Sequence, residues 1–209
     1  MFIHQLPSII PSILPKLTWT RLDSPESRKV YFTFDDGPTP EITKFVLDCL
    51  ADYHAKATFF CIGKNMLAYP QIVQDLVYAG HRLGNHTMNH ANAWRYSTGE
   101  YNTDYLACEA VFKDMQIESV GFRPPYGRVT PFIYNSLTSE NNVFMWSVLT
   151  GDYNSDLDSA DIVSACTKLI KPGSIIVFHD SEKAFPRLKV VLPLMLEYCL
   201  NQHLIPCSL

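Results

Sequence analysis

The chain of 209 residues has no excess of basic residues: 17 Lys and Arg stand against 21 Asp and Glu, a net charge of -4. No basic stripe is present to neutralise phosphates, which argues against a nucleic-acid partner. Closely paired cysteines are missing as well. Cys49, Cys61, Cys108, Cys166, Cys199 and Cys207 are widely spaced, with no CxxC motif, so reduced thiols are expected rather than a disulfide framework. No apolar run is long enough to span a bilayer. Met1 to Leu14 is apolar, but Pro7, Pro11 and Pro15 interrupt it, and the first basic residues are Lys16 and Arg21. A secretory signal needs a basic start, an unbroken apolar helix and a small-residue cleavage site, and this segment lacks all three. Residues 1–28 are therefore expected to be an N-terminal arm packed on a domain formed by residues 29–209. A cytoplasmic location is expected, with export of a form whose signal has been trimmed as the alternative.

What is present suits one globular unit. Hydrophobic residues make up 47% of the chain and charged residues 18%, enough to bury a full core. No repeat or linker divides it. Apolar strand-like runs at Lys29–Phe34, Ala57–Ile62, His81–Asn85, Ser119–Arg123, Val143–Val148, Ser174–Phe178 and Leu204–Pro206 alternate with helix-length stretches. Those helices are expected at Ile42–Tyr53, Met66–Tyr78, Tyr101–Met115, Pro131–Ser139, Ser159–Ile170 and Lys189–Leu200. Such alternation predicts an α/β fold with a parallel sheet covered by helices. A barrel and an open doubly wound sheet both gather ligands at the carboxyl ends of their strands, so periodicity does not choose between them.

The polar residues cluster at those strand ends. Val30 to Phe34 runs straight into Asp35 and Asp36, and Gly37-Pro38 then turns the chain. Adjacent carboxylates at the end of a buried strand are costly unless a cation or hydrogen-bond donors compensate them. His86 and His90 follow another strand at i and i+4 spacing. A carboxylate and two imidazoles supply three ligands and leave an open position, the pattern of a catalytic zinc site. Arg123 to Tyr126 and His179-Asp180 also follow strands, Asp180 reading as a turn or helix-cap residue. His4, His54, His81 and His203 lack partners in sequence and read as ordinary surface histidines or as satisfied ones. Trp94, Tyr96, Tyr101 and Tyr105 suit either a ligand-binding cleft or the core.

Taken together, TFDDGP at Thr33 to Pro38, H-T-x-x-H at His86 to His90, R-P-P-Y-G at Arg123 to Gly127 and V-F-H-D ending at Asp180 resemble the NodB-type polysaccharide deacetylases, carbohydrate esterase family 4. The resemblance implies a distorted, incomplete (β/α) barrel and one divalent metal, zinc first, with cobalt or nickel as alternatives. It assigns the ligands to Asp36, His86 and His90, the general base to Asp35 and the general acid to His179. Arg123 matches the arginine that holds the base, and the backbone N–H of Tyr126 matches an oxyanion-hole donor. The implied substrate is an N-acetylated glycan.

The family's D-x-x-D-W pattern aligns with Leu149 to Tyr153. Its second acid survives as Asp152, expected to charge and orient His179. Its first acid is replaced by Leu149 and its tryptophan by Tyr153, a smaller aromatic wall. The leading function is metal-dependent removal of acetyl groups from N-acetylated carbohydrate. An O-acetyl esterase or a hydrolase of non-sugar amides could use the same site, and a non-catalytic glycan-binding module is the third class. Binding alone needs neither Asp35 nor His179.

Overall fold

The computed structural model describes residues 2–140 and 142–209. At its centre lies β1 (Lys29–Asp35), of which only Lys29 is exposed. Side chains alternate across a strand, so Val30, Phe32 and Phe34 enter the main apolar core under the helices. Tyr31 enters a smaller inner cluster with Phe60, Phe144, Ile175 and Leu209. Thr33 and Asp35 share that inner parity, which puts a carboxylate on the inside at the strand's carboxyl end. The Phe34 ring stacks between Phe59 and Phe178, with centroids 4.9 and 5.4 Å away.

The other strands are β2 (Thr58–Cys61), β3 (Arg82–Asn85), β4 (Ser119–Phe122), β5 (Val148–Leu149), β6 (Ile175–His179) and β7 (Ile205–Cys207). They pair in the order β4-β3-β2-β1-β6-β5, with β7 alongside the start of β1. Every pairing is parallel. Among the described residues β4 and β5 do not pair. The sheet is thus a distorted barrel left open on one side.

The gap is spanned by residues predicted as part of a longer strand. Val143 and Phe144 make only isolated bridges, to Phe122 and Thr18 respectively. The carbonyls of Phe144 and Met145 accept instead from Arg123, Nε at 3.4 Å and Nη2 at 3.0 Å. A buried side chain occupies acceptors that a continuous ladder would use, so the regular strand shrinks to Val148–Leu149.

Helices α1 (Ile9–Ile13), α2 (Ile42–Asp52), α3 (Gly63–Ala68), α4 (Pro70–Tyr78), α5 (Thr98–Asp114), α6 (Thr138–Glu140), α7 (Ser159–Thr167) and α8 (Phe185–Asn201) fill the connections. The single helix predicted near Met66–Tyr78 is two. Pro70 cannot continue a helix as a backbone donor but suits the first position of a new one, where α4 begins. The segment Ile133–Leu137 is a π-helix leading into α6. Helix α5 starts at a reciprocal cap, Ser97 with Glu100, three residues before the predicted start. Leu17 and Trp19 of the first 28 residues are buried in a second apolar cluster beside α5. No helix among the described residues is long and apolar enough to cross a membrane, and all six cysteines are free thiols.

Candidate metal centre and active-site cleft

Three ligand atoms converge where β1 and β3 end. Asp36, His86 and His90 each offer one, all within 4.8 Å of one another. Asp36 Oδ1 lies 3.2 Å from His90 Nε2 and 3.8 Å from His86 Nε2. That oxygen is buried and has no hydrogen-bond partner, an arrangement a cation would complete. His86 Nδ1 is 2.8 Å from the carbonyl oxygen of Arg123. A carbonyl can only accept, so Nδ1 carries the proton and Nε2 keeps its lone pair for a ligand. Burial above all pushes His90 down to about 4, so its ring is neutral at pH 7, the ligating form. The donor set fits a divalent ion of the zinc type.

The backbone around this centre is strained. Asp36, Thr87, His90 and Tyr126 hold φ values of 82°, 64°, 57° and 59°, a region that costs non-glycine residues about 1–3 kcal/mol each. Side-chain amides hold the loops in place. Asn65 Nδ2 donates to the Asp36 carbonyl at 2.8 Å. Asn85 accepts from Thr87 N–H at 2.7 Å and donates to Glu109 at 2.6 Å. Three other positive-φ residues, His54, Gln116 and His203, lie just beyond the C-caps of α2, α5 and α8. There they serve as left-handed helix ends.

Asp35 is nearly buried and meets Arg123, whose Nη1 donates to its Oδ1 at 2.8 Å. Burial opposes ionisation of Asp35, but the guanidinium of Arg123, with the charge of His179, holds its pKa below the ordinary carboxylate value. No hydrogen bond among the described residues engages Oδ2. Arg123 is fully buried, so this is no surface ion pair. Its fork is not bidentate on the carboxylate, however. It spreads over Asp35, Thr33 Oγ1 at 2.7 Å and two main-chain carbonyls, with its Cζ 4.1 Å from the centroid of the Phe60 ring.

His179 is fixed by Asp152 twice. Asp152 Oδ1 is 2.8 Å from His179 Nδ1, and Oδ2 accepts the His179 backbone N–H at 2.8 Å. Burial alone would lower the imidazole pKa, yet the Asp152 carboxylate outweighs it and raises it to about 9. Since Nδ1–H faces Asp152, Nε2 is the nitrogen left for proton exchange.

Asp35, Asp36, His86, His90 and His179 all border a single cleft of about 570 Å³. A family model described as "Polysaccharide deacetylase" matches residues 23–141. The chain belongs to the polysaccharide deacetylase family. Among its relatives, a peptidoglycan-N-acetylglucosamine deacetylase of Bacillus cereus is 34% identical over 169 residues, covering 78% of this chain and 77% of that protein. A chitooligosaccharide deacetylase of Bradyrhizobium sp. is 34% identical over 158 residues, covering 74% and 71%. The crystal structure of the Bc1960 peptidoglycan N-acetylglucosamine deacetylase superposes with a TM-score of 0.85 at 27% identity, covering 95% of this chain and 94% of that one.

Of the other predicted positions in this polysaccharide deacetylase, Arg123 and Asp152 do not line the cleft but hold Asp35 and His179, which do. Tyr126, Leu149 and Tyr153 line it. The Tyr126 ring lies 4.5 Å from that of His90, and Tyr153 packs edge-on against His179 at 4.8 Å. The aromatic quartet divides: Tyr101 and Tyr105 are buried core, while Trp94 and Tyr96 are exposed.

One position differs from its sequence reading, and two histidines turn out to be satisfied ones. Asp180 is neither a turn nor a helix-cap residue. It is fully buried, accepting from Gly37 N–H at 3.0 Å and Thr43 Oγ1 at 2.5 Å. A Cβ on Gly37 would stand 2.0 Å from its Oδ2. Asp180 therefore seats the turn that carries Asp36. His4 does have a partner: its Nδ1 is 2.9 Å from the Leu149 carbonyl, and its own carbonyl accepts Leu149 N–H at 2.8 Å. His81 is buried, accepts Ala57 N–H at 3.2 Å, and is pushed down to about 4 by burial. Sequence reasoning passed over Arg128, Trp146 and Lys183, which also line the cleft. Arg128 directly follows R-P-P-Y-G, and Lys183 lies four residues after His179, so adjacency to the motifs was the available signal.

Proposed function

We propose that the protein hydrolyses the acetamido group of N-acetylated amino sugars in a glycan, releasing acetate and a free amine. One observation carries this reading. A three-ligand cluster lies in the same cleft as an ionised carboxylate and a charged imidazole, each held by a dedicated partner of opposite sign.

Asp36, His86 and His90 would hold one divalent ion, zinc being the first choice for a nitrogen and oxygen donor set. When bound, that ion supplies Lewis acidity toward the acetyl carbonyl and the attacking water. Asp35, kept ionised by Arg123, takes a proton from the water as its oxygen bonds to the acetyl carbon. The Tyr126 N–H donates to the oxygen that gains charge. His179 delivers a proton from Nε2 to the sugar nitrogen as the carbon–nitrogen bond breaks. Leu149, Trp146, Val177 and Tyr153 line the cleft with apolar surface that favours the acetyl methyl group over water.

Relatives named as peptidoglycan and chitooligosaccharide deacetylases support an amino-sugar substrate. The test is acetate release from paired N-acetyl and O-acetyl oligosaccharides by protein stripped of metal and reloaded with zinc, cobalt or nickel. Turnover of the N-acetyl member is expected. Turnover of the O-acetyl member alone would replace the amidase reading with an esterase.

A further inference from the structure

Two cations border the cleft without a counterion. Arg128, on the loop after β4, and Lys183, on the loop after β6, both line it, and neither makes an ion pair among the described residues. The acids on the same wall are engaged elsewhere, Asp35 by Arg123 and Asp36 by the ligand cluster.

Arg128 is held in place for a partner that the protein does not supply. Its guanidinium lies 3.9 Å from the centroid of the Trp94 ring, and that indole is anchored by Nε1–H donating to the Val129 carbonyl at 3.1 Å. The backbone beneath is equally fixed, because Arg128 N–H donates to the Pro125 carbonyl at 3.1 Å and closes a tight turn. Stacking removes much of the rotational freedom a surface arginine normally loses on binding. Its Nε is buried and has no acceptor. A shielded Nε cannot itself meet a ligand, so what this guanidinium can offer an anion is its two Nη groups, which no hydrogen bond among the described residues engages. Lys183 stands 5.7 Å from the centroid of the Tyr153 ring, which itself packs on His179. The chain as a whole carries a charge of -4, so the cationic edge is local to the cleft and would focus an anion there.

We propose that Arg128 and Lys183 form an anion subsite, and that the substrate is an acidic N-acetylated glycan. Its acetamido sugar, or the sugar next to it, carries an oxyanionic substituent, carboxylate or phosphate. The guanidinium fork matches the oxygens of either group, and the ammonium adds a second point charge. This rests on the deacetylase reading and adds the charge of the substrate to it. A neutral glycan leaves Arg128 and Lys183 without a counterion.

The test compares three N-acetylated oligosaccharides of equal length: one neutral, one bearing a carboxylate and one bearing a phosphate. Acetate release is measured with zinc-loaded protein, and affinity by calorimetry. An acidic member is expected to exceed the neutral one by about tenfold in kcat/KM, mainly through KM, the scale of one charge-assisted hydrogen bond. Rising salt should erode that preference. The Arg128→Gln, Lys183→Gln double variant should bring the ratio close to one, and Arg128→Lys should restore only part of it. The two acidic arms identify which oxyanion is read. Equal rates and affinities for neutral and acidic members, or a preference that survives the double substitution, would overturn the proposal. Tighter binding of an acidic member that depends on Arg128 and Lys183, without acetate release from any of the three, would support the subsite and overturn the deacetylase reading instead.

Discussion

Asp35 and His179 are register partners, facing each other across the parallel pairing of β1 and β6 at the carboxyl ends of both strands. The proposed proton acceptor and proton donor are thereby held by main-chain hydrogen bonding rather than by loops. Each carries its own counterion: Arg123 on β4's exit, and Asp152 on the exit of β5. The chemistry proposed needs the two groups in opposite charge states at one pH, and their environments push them that way.

Asp35→Asn separates base from ligand. The side chain keeps its shape and loses its ability to take a proton, while Asp36, His86 and His90 are untouched. Metal content measured by atomic emission should stay at the wild-type level, and kcat should fall by about 10²–10⁴-fold. Near-normal turnover would show that another group takes the proton.

Arg123 ties stability to the acid limb of activity. Removing one member of a buried ion pair leaves the other charge uncompensated, typically a loss of about 3–5 kcal/mol. Arg123→Met should therefore unfold at markedly lower denaturant. The wild-type Asp35 pKa is depressed, so its contribution to stability is present above the unfolded value and fades as pH falls through the folded one. Without the guanidinium that pKa must rise, and the acid limb of kcat/KM should shift to higher pH. An unmoved acid limb would detach Arg123 from the base.

The alkaline limb belongs to His179. Its pKa is raised to about 9 by Asp152, so the rate should decline as pH climbs through that value and the imidazolium loses its proton. In Asp152→Asn the largest influence opposing burial is gone, leaving only the fields of Asp36 and Asp35, and the limb should move to lower pH with a lower maximal rate. His179→Ala should harm N-acetyl turnover more than hydrolysis of an acetyl ester with an activated phenol, because a phenolate leaves without protonation. Equal losses on both would make His179 a structural residue.

Gly37→Ala tests the seat of the ligand loop. The new methyl group would meet the Asp180 carboxylate far inside contact distance, and overpacking of this kind costs about 1–3 kcal/mol. Melting temperature and zinc affinity should both fall. Adding Asp180→Ala should return part of the loss, a coupling expected of touching residues. Additive losses would mean the two positions act separately.

Much of the site could be read from the chain because its residues sit in short motifs at strand ends. Asp35-Asp36, His86 with His90, Arg123 and His179 each follow an apolar run, and strand ends in a parallel sheet share one rim. What escaped depends on contacts distant in sequence. Asp180 looks like a turn residue until Gly37, 143 positions away, is brought against it. The predicted strand at Val143–Val148 shortens because the side chain of Arg123 takes its carbonyls. His4 acquires a partner only when the N-terminal segment is laid beside Leu149. The Pro70 break, by contrast, was a local signal available in sequence.

The decisive measurement is a zinc titration of metal-free protein that follows bound ion and acetate release from an N-acetylated oligosaccharide together, in the wild type and in His86→Ala, His90→Ala. The expected result is one ion per wild-type chain, with activity rising in proportion to occupancy, and neither ion nor activity in the double variant while its circular dichroism remains folded. Full activity before zinc is added, or a stoichiometric ion in the variant lacking both imidazoles, would contradict the assignment of Asp36, His86 and His90 as the metal centre.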